Sequence, residues 1–387
     1  MKKIAIVTGT RADFGLLCPI ILKLQQDTEI DTIVYACGSH FSPEFGMTIS
    51  EVYDNGVKNV RSIEMLLSSS SKVGVAKSTG LAVISFTDAF AADKPDCVLL
   101  LGDRYETFAA AQASFLLDIP IAHIHGGEVT EGAFDDGLRH CISKMASVHF
   151  CAAEQFSQRL QRLGEFPSSI HVVGAPGVDN ILSARAADEH ELAEVLNFPS
   201  NGPLMLVTYH PVTRGGDDEN NITPLINVIA LHRQYNFIVT YPNADGPGAE
   251  MIAQWQVLAQ YPHVRLVPSL GFKRYLGVMG RAACVLGNSS SGLIEAPSFK
   301  VPTINIGTRQ HGRPRSETVI DTPMQQEAIE QALQQATSES FKQVCEQAVN
   351  PYGQGNCAQK VVDILAALDF RQMQHLGFYE QERTNDQ

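Results

Sequence analysis

Ionisable residues gather at two abrupt breaks in apolar sequence. Leu100 and Leu101 run into Gly102, Asp103, Arg104, Tyr105 and Glu106, and the run from 121 to 124 ends in His125, Gly126, Gly127 and Glu128. Short apolar runs of this kind are buried strands of a parallel sheet, and ligands of such sheets sit beyond the carboxyl ends of the strands. Asp103, His125 and Glu128 are therefore expected at a cleft, with Asp135 and Asp136 following closely. Carboxylates sharing a site of low dielectric push each other's pKa values apart, which separates a proton donor from an acceptor. Two consecutive glycines let the backbone come close to a ligand. The plainer role for Asp103, Asp135 or Asp136 is to cap the helix that follows, and for Asp136 capping is the better account.

A second group suits an anion. Gly287, Asn288, Ser289, Ser290, Ser291, Gly292 and Glu295 follow a strand and open a helix over 291–298. Backbone N–H groups, the helix dipole and the hydroxyls could hold phosphate there. No lysine accompanies them, which fits a diphosphate better than a γ-phosphate awaiting hydrolysis. Glu295, one turn in, could accept both hydroxyls of a ribose, whereas a simple serine cap needs one such residue. His210 ends another strand, where it could touch phosphate, move a proton near neutrality, or cap a turn. Arg11 ends the first strand, in a segment that is neither G-x-G-x-x-G nor a Walker loop. It could meet a phosphate or sit in a surface turn. Residues 307–315 hold three arginines; Arg309, nearest its strand, suits a diphosphate, although a solvated basic loop at a subunit contact would read the same way.

These residues need a scaffold, and the chain supplies a repeating one. The 387 residues are 44% hydrophobic and 18% charged, enough for two cores. A net charge of −13 argues against a general nucleic-acid or anionic-membrane partner. The eight cysteines include no C-x-x-C pair and read as buried, reduced core thiols. The N-terminus reads as a first strand rather than a leader, and no run reaches the ~18 apolar residues of a membrane span. A cytoplasmic location is the expectation. Strands over 3–8, 31–37, 96–101, 119–124 and 148–152 alternate with helices over 14–27, 74–92, 104–117, 137–146 and 153–163. Such alternation implies α/β architecture with parallel sheets. Segment 65–80, with its serine run, reads as a loop over the cleft. Pro and Gly punctuate 165–203, and the pattern then restarts from 204 to 336. Two Rossmann-like domains follow, 1–175 and 176–355, with a last helix and tail over 356–387.

Taken in order, the segments resemble the UDP-N-acetylglucosamine 2-epimerase family, most of all its hydrolysing branch in bacterial sialic-acid synthesis. The matching pieces are Gly9 to Phe14, Gly38–Ser39–His40, Leu101 to Glu106, His123 to Glu128, Arg139–His140, His210–Pro211, Asn243–Ala244–Asp245, Gly287 to Glu295 and Asn305 to Gln310. The resemblance implies the two-domain GT-B type of fold, with domains facing across a cleft and the C-terminal helix crossing back to the first. It implies no metal or redox cofactor, a UDP-sugar as small-molecule substrate, and a homodimer or homotetramer. The C2 hydrogen of UDP-N-acetylglucosamine would be removed and UDP would leave from C1. The glycal would then be hydrated with inverted C2, giving N-acetylmannosamine. By the family pattern Ser289 and Ser290 with Arg11 meet the phosphates, Glu295 holds the ribose and Leu270 lies by the uracil. Asn243, Arg104, His210 and Arg309 line the nucleotide pocket, and His40 supports the sugar. Asp103, Glu128, Asp135 and His210 form the acid–base set. Many relatives carry Glu at the position of His125, so that histidine is the one departure within the set. Other readings remain: a hydrolysing epimerase of UDP-N,N'-diacetylbacillosamine, a non-hydrolysing 2-epimerase, a glycosyltransferase on the same fold, and a non-catalytic nucleotide-sugar sensor.

Overall fold

The computed structural model describes residues 1–380 other than 43–46, 68–70, 131–133, 184–186, 213–219, 243–245 and 374–376. Packing divides the chain into two units, Met1–Glu128 with Asp135–Asn180 and Gly355–Gln387, and Val129–Phe134 with Ile181–Gln354.

The first unit runs β1 (Lys2–Thr8), α1 (Arg11–Leu24), β2 (Ile30–Ala36), α2 (Ile49–Asp54), β3 (Val60–Ser62), α3 (Lys72–Asp93), β4 (Cys97–Leu101) and α4 (Tyr105–Leu116). It continues through β5 (Ile121–Ile124), α5 (Asp135–Met145), β6 (Val148–Cys151), α6 (Glu154–Arg162), β7 (Ile170–Val172) and α7 (Pro176–Ser183), within which the division falls. Its seven strands lie in the order β3-β2-β1-β4-β5-β6-β7, and every pairing is parallel. The apolar runs are largely buried; all five residues of β4 are buried. Helix α3 buries Gly74, Ser78, Ala82, Phe86 and Phe90, one residue per turn along a single stripe. It starts at Lys72 with Ser71 as N-cap, so the loop expected over 65–80 is helical in its second half, and residues 68–70 lie outside the described residues.

The second unit runs α8 (Glu189–Leu196), β8 (Leu204–Thr208), α9 (Thr223–Leu231), β9 (Asn236–Thr240), α10 (Gly246–Trp255), β10 (Val264–Val267), α11 (Gly271–Met279) and β11 (Cys284–Gly287). It ends with α12 (Ser291–Ile294), β12 (Thr303–Ile306), β13 (Val319–Thr322), α13 (Gln326–Ala336) and α14 (Glu339–Gln347). The six parallel strands lie in the order β10-β9-β8-β11-β12-β13. The last helix, α15 (Cys357–Ala367), buries Val361 and Leu365 in the same core as Ile4, Ile6 and Phe14, so it belongs to the first unit.

In each sheet the strand order reverses once, between β1 and β4 and between β8 and β11. Neighbouring crossovers leave to opposite faces at such a point and open a crevice beyond the strand ends. Asp103 follows β4, and Ser289 follows β11, so both chemical groups sit at a reversal. Edge strands β3, β7 and β13 were not expected; each has only three or four residues, too few to show a period. The helix expected over 291–298 is only four residues long, because Pro297 turns the chain into a 3-10 segment over Ala296–Phe299. The cysteines are all free, but Cys141 is exposed and Cys18 half-buried, which corrects the reading of eight core thiols. No helix among the described residues is long and apolar enough to cross a membrane.

Candidate functional site

In the first unit, Gly102 takes φ +79° and turns the chain out of β4, which frees Asp103 from the sheet. The carboxylate of Asp103 is ion-paired with Arg139 of α5, a guanidinium only 5% exposed that also lies 3.4 Å from Asp136 Oδ1. Arg139 was quoted in the sequence pattern without a role. The signal for it was its position three residues after Asp136 on one helix face. Asp103 thus serves as an anchored carboxylate rather than as the cap of α4; Arg104 occupies the N-cap position.

Asp135 and Asp136 are the first two residues of α5, within the helix rather than at its cap position, and Asp136 pairs with Arg139 instead of capping. The Asp135 carboxyl is pushed up to about 6, first by burial and then by the charge of Asp103. A group near 6 is ionised at neutral pH yet basic enough to take a proton.

Beyond β5, His125 has φ +66°, a left-handed conformation uncommon for a residue with a side chain. It places Nδ1 3.8 Å from Glu128 Oε1, and Glu128 is 2% exposed. Gly127 makes the turn possible: at φ +76°, a Cβ there would lie 2.5 Å from the Phe156 carbonyl. His123, fully buried, braces both strand ends. Its Nε2–H donates to the Gly102 carbonyl at 2.8 Å, and Nδ1 lies 3.2 Å from the Ser143 hydroxyl of α5. Burial first, eased by the bond to Gly102, drops its pKa to about 3, so the ring stays neutral. His123 therefore ties together the elements that carry Asp103, His125 and Asp135.

The remaining first-unit candidates are more committed. Arg11 is half-exposed and lies 3.2 Å from Glu51. The backbone N–H groups of Gly9 and Thr10 are taken by Asp13, at 2.8 and 2.7 Å, so those two are not offered to an anion. Arg104 makes a two-pronged bond to the buried Glu106, at 2.9 and 3.2 Å. His40 is inaccessible, with Nε2 3.0 Å from Thr8 Oγ1 and Nδ1 2.9 Å from Thr48 Oγ1. It supports the end of β1 through those bonds and has no ring nitrogen left for a sugar.

In the second unit one asparagine organises the site. Asn288 is fully buried; its Oδ1 accepts from His210 N–H at 2.7 Å and its Nδ2 donates to His210 O at 2.8 Å. Its own carbonyl accepts from Arg309 Nη1 at 3.1 Å and Gln310 Nε2 at 2.8 Å. The turn needs Gly287 at φ +134°, because a Cβ would lie 1.9 Å from Thr208 O. Asn288 had been quoted only as part of the serine segment. Burial, followed by the charge of Arg309, lowers His210 to about 4, so it is neutral rather than a cation for phosphate. Arg309 falls to about 10 through burial and repulsion from Arg313, and it still carries its charge at neutral pH. It has no carboxylate ion pair among the described residues. A desolvated cation in that state is a place for an anion.

Glu295 is pushed up to about 7 by burial, which Arg313 only partly opposes. Its Oε2 is buried without a hydrogen-bond partner among the described residues. Arg313, given no role from sequence, also donates to Val129 O at 3.3 Å and Thr130 Oγ1 at 3.2 Å. Ser290 is the N-cap residue of α12 and makes no side-chain cap bond. The short helix weakens the expected dipole, which leaves the serine hydroxyls and Arg309 as the donors. Leu270 is 7% exposed and belongs to the hydrophobic core, so it offers an edge at most. Asn243 lies outside the described residues.

The family model described as UDP-N-acetylglucosamine 2-epimerase matches residues 22–366. The chain is 37% identical to a GDP/UDP-N,N'-diacetylbacillosamine 2-epimerase (hydrolyzing) of Campylobacter jejuni, over 88% of this chain and 89% of that one. It is 33% identical to the polysialic acid biosynthesis protein P7 of Escherichia coli, over 94% of each. Its fold matches that of a UDP-GlcNAc 2-epimerase from Neisseria meningitidis bound to UDP-GlcNAc, with a TM-score of 0.82 and 22% identity across 95% of this chain and 100% of that one.

Proposed function

The chain belongs to the UDP-N-acetylglucosamine 2-epimerase family, and from that premise we propose that it is a hydrolysing 2-epimerase of a UDP-linked 2-acetamido sugar, with UDP-N-acetylglucosamine as substrate. The observation that carries the proposal is the carboxyl pair at the first strand reversal: Asp103 fixed by Arg139, beside Asp135 with its pKa raised to about 6.

Loss of UDP from such a sugar needs a base for the hydrogen on C2. Asp135 is that base: its raised pKa makes it the stronger acceptor, and it is ionised at neutral pH. The C2–H electrons form the C1–C2 double bond of the glycal while the C1–O bond breaks, and UDP leaves with that electron pair. Water then adds its hydroxyl to C1, and a proton returns to C2 from the opposite face. Asp103, and His125 with Glu128, supply and orient that proton and water. The sum is UDP-N-acetylglucosamine plus water to N-acetylmannosamine plus UDP.

The second unit holds the leaving nucleotide. Arg309, Ser289 and Ser290 take the diphosphate, Glu295 accepts the ribose hydroxyls, and neutral His210 gives a hydrogen bond to the departing oxygen. A reaction of this kind uses only proton transfers and one leaving group, so side chains suffice. A second reading, UDP-N,N'-diacetylbacillosamine as substrate, draws on the likeness to the Campylobacter jejuni enzyme.

Incubation with each UDP-sugar, followed by proton NMR, tests both. Free UDP with N-acetylmannosamine supports the first substrate, and turnover of the diacetylated sugar alone supports the second. Formation of UDP-N-acetylmannosamine would replace the hydrolysing reaction with simple epimerisation. Binding of both UDP-sugars without turnover would leave a sensor.

A further inference from the structure

Five hydroxyls form a continuous, partly buried chain at the serine segment. Thr240 Oγ1 lies 2.7 Å from Thr208 Oγ1, which lies 3.2 Å from Tyr275 Oη. Tyr275 Oη lies 2.6 Å from Ser291 Oγ, and Ser291 Oγ donates to Ser289 Oγ at 3.0 Å. The chain joins β9, β8, α11 and the turn after β11.

A hydroxyl has one proton to give, and that rule sets the direction of the last two links. Ser289 Oγ accepts twice, from Ser291 Oγ–H and from Ser291 N–H at 3.3 Å. Ser291 has thereby spent its proton, so Tyr275 is the donor in their short contact. The Thr240 hydroxyl donates to Val207 O at 3.3 Å, so the two threonines brace the far side of the phenol and the direction rests on the Tyr275–Ser291–Ser289 links. Burial, named first among the causes, raises the Tyr275 phenol above its ordinary value, so it stays protonated and able to donate. The Tyr275 and Ser291 dipoles therefore point one way and end at Ser289. Ser289 ends the chain half-buried, accepting from Ser291 and bearing on the Tyr275 oxygen as well.

We propose that Tyr275 is a positioning residue that, through Ser291, aims and polarises the Ser289 hydroxyl as a donor to the diphosphate of the bound nucleotide. Aligned chains strengthen their terminal bond, and an anion is the acceptor that gains most from it. The proposal rests on the nucleotide reading of the second unit. It concerns the phenol oxygen, which a sequence reading passes over, because a tyrosine inside an amphipathic helix reads as core.

The test is isothermal titration of UDP and of uridine into the full chain and its variants. Tyr275→Phe keeps the ring and removes the donor; Ser291→Ala breaks the chain one link later and serves if the first variant fails to fold. Each should weaken UDP about fivefold to tenfold, the scale of one polarised hydrogen bond, and leave uridine unchanged. Ser289→Ala should weaken UDP by about tenfold, and adding Tyr275→Phe to it should cost nothing further, because the two act through one bond. Equal loss of UDP and uridine, additive losses in the double variant, or unchanged UDP binding would each overturn the role of Tyr275. A wild-type protein that binds UDP while these variants match it overturns this inference alone. A wild-type protein that binds neither ligand overturns the nucleotide reading with it.

Discussion

Replacing Glu295 by Gln should make the unliganded protein more stable at pH 8 and a poorer binder of nucleotide. The carboxyl rises from its ordinary 4.5 to about 7, first through burial, with Arg313 opposing. A carboxyl whose folded pKa lies above its unfolded value contributes stability below the unfolded value. That contribution is lost as pH rises through the folded one. The window is therefore about 4.5 to 7, and above it the wild-type chain carries a desolvated carboxylate. At 1.36 kcal/mol per tenfold in proton affinity, the ceiling on this cost is about 3 kcal/mol. Glutamine keeps the shape and carries no charge, so the variant should melt higher by about 6–10 °C at pH 8, with little difference at pH 4.5. Differential scanning calorimetry at the two pH values measures this directly. The carboxylate should recover its cost when it accepts ribose hydroxyls, so UDP should bind the variant about tenfold or more weakly. A variant whose melting shift is the same at both pH values, or negative at pH 8, would refute the reasoning. Glu295 would then be a solvated or fully paired carboxylate, with no strain for a ribose to relieve.

Asp103→Asn should keep UDP affinity by calorimetry and lose turnover by ~100-fold or more, as for a group in proton transfer; near-normal turnover would remove Asp103 from the mechanism. Acting as base, Asp135 must be ionised, so kcat/KM should rise with pH through about 6 and then level. Asp135→Asn should abolish turnover, and a rate that falls through that pH would make Asp135 an acid instead. Asn288→Ala removes both bonds to the His210 backbone, at 2.7 and 2.8 Å. Urea denaturation should show a loss of about 2–4 kcal/mol, with unchanged stability counting against the asparagine as organiser.

The β/α alternation was legible because parallel strands are buried on both faces and read as unbroken apolar runs, as in Cys97–Leu101 and Leu204–Val207. The edges were not: β3, β7 and β13 have little to bury and too few residues to show a period. The length of α12 was overestimated because Pro297 was read as lying within a helix rather than as its end. Carboxylates and glycines at strand ends stood out, and Asp103 and Gly287 sit where the strand orders reverse. What sequence could not show is which side chains are already occupied. His40 and Arg104 have the right type and place, yet one is enclosed by two threonines and the other clamped to Glu106. Arg139, Asn288 and Tyr275 do their work through partners 36, 78 and 16 residues away along the chain. Spacing of that kind has no local signature.

The carboxylate of Asp179 accepts from Cys357 N–H at 2.8 Å and Ala358 N–H at 2.6 Å. It caps α15 at the point where the chain returns to the first unit, two residues before the place where the chain left it. The second unit is thus largely an insertion between two neighbouring points of the first. On the ribosome this reverses the usual order, in which N-terminal domains finish first. The 174 residues Ile181–Gln354 emerge before the helix that completes the first core. The nucleotide-holding unit can close while Ile4, Ile6 and Phe14 still wait for Val361 and Leu365. A chain truncated after Gln354 should accordingly resist protease in its second unit and remain cleavable in its first.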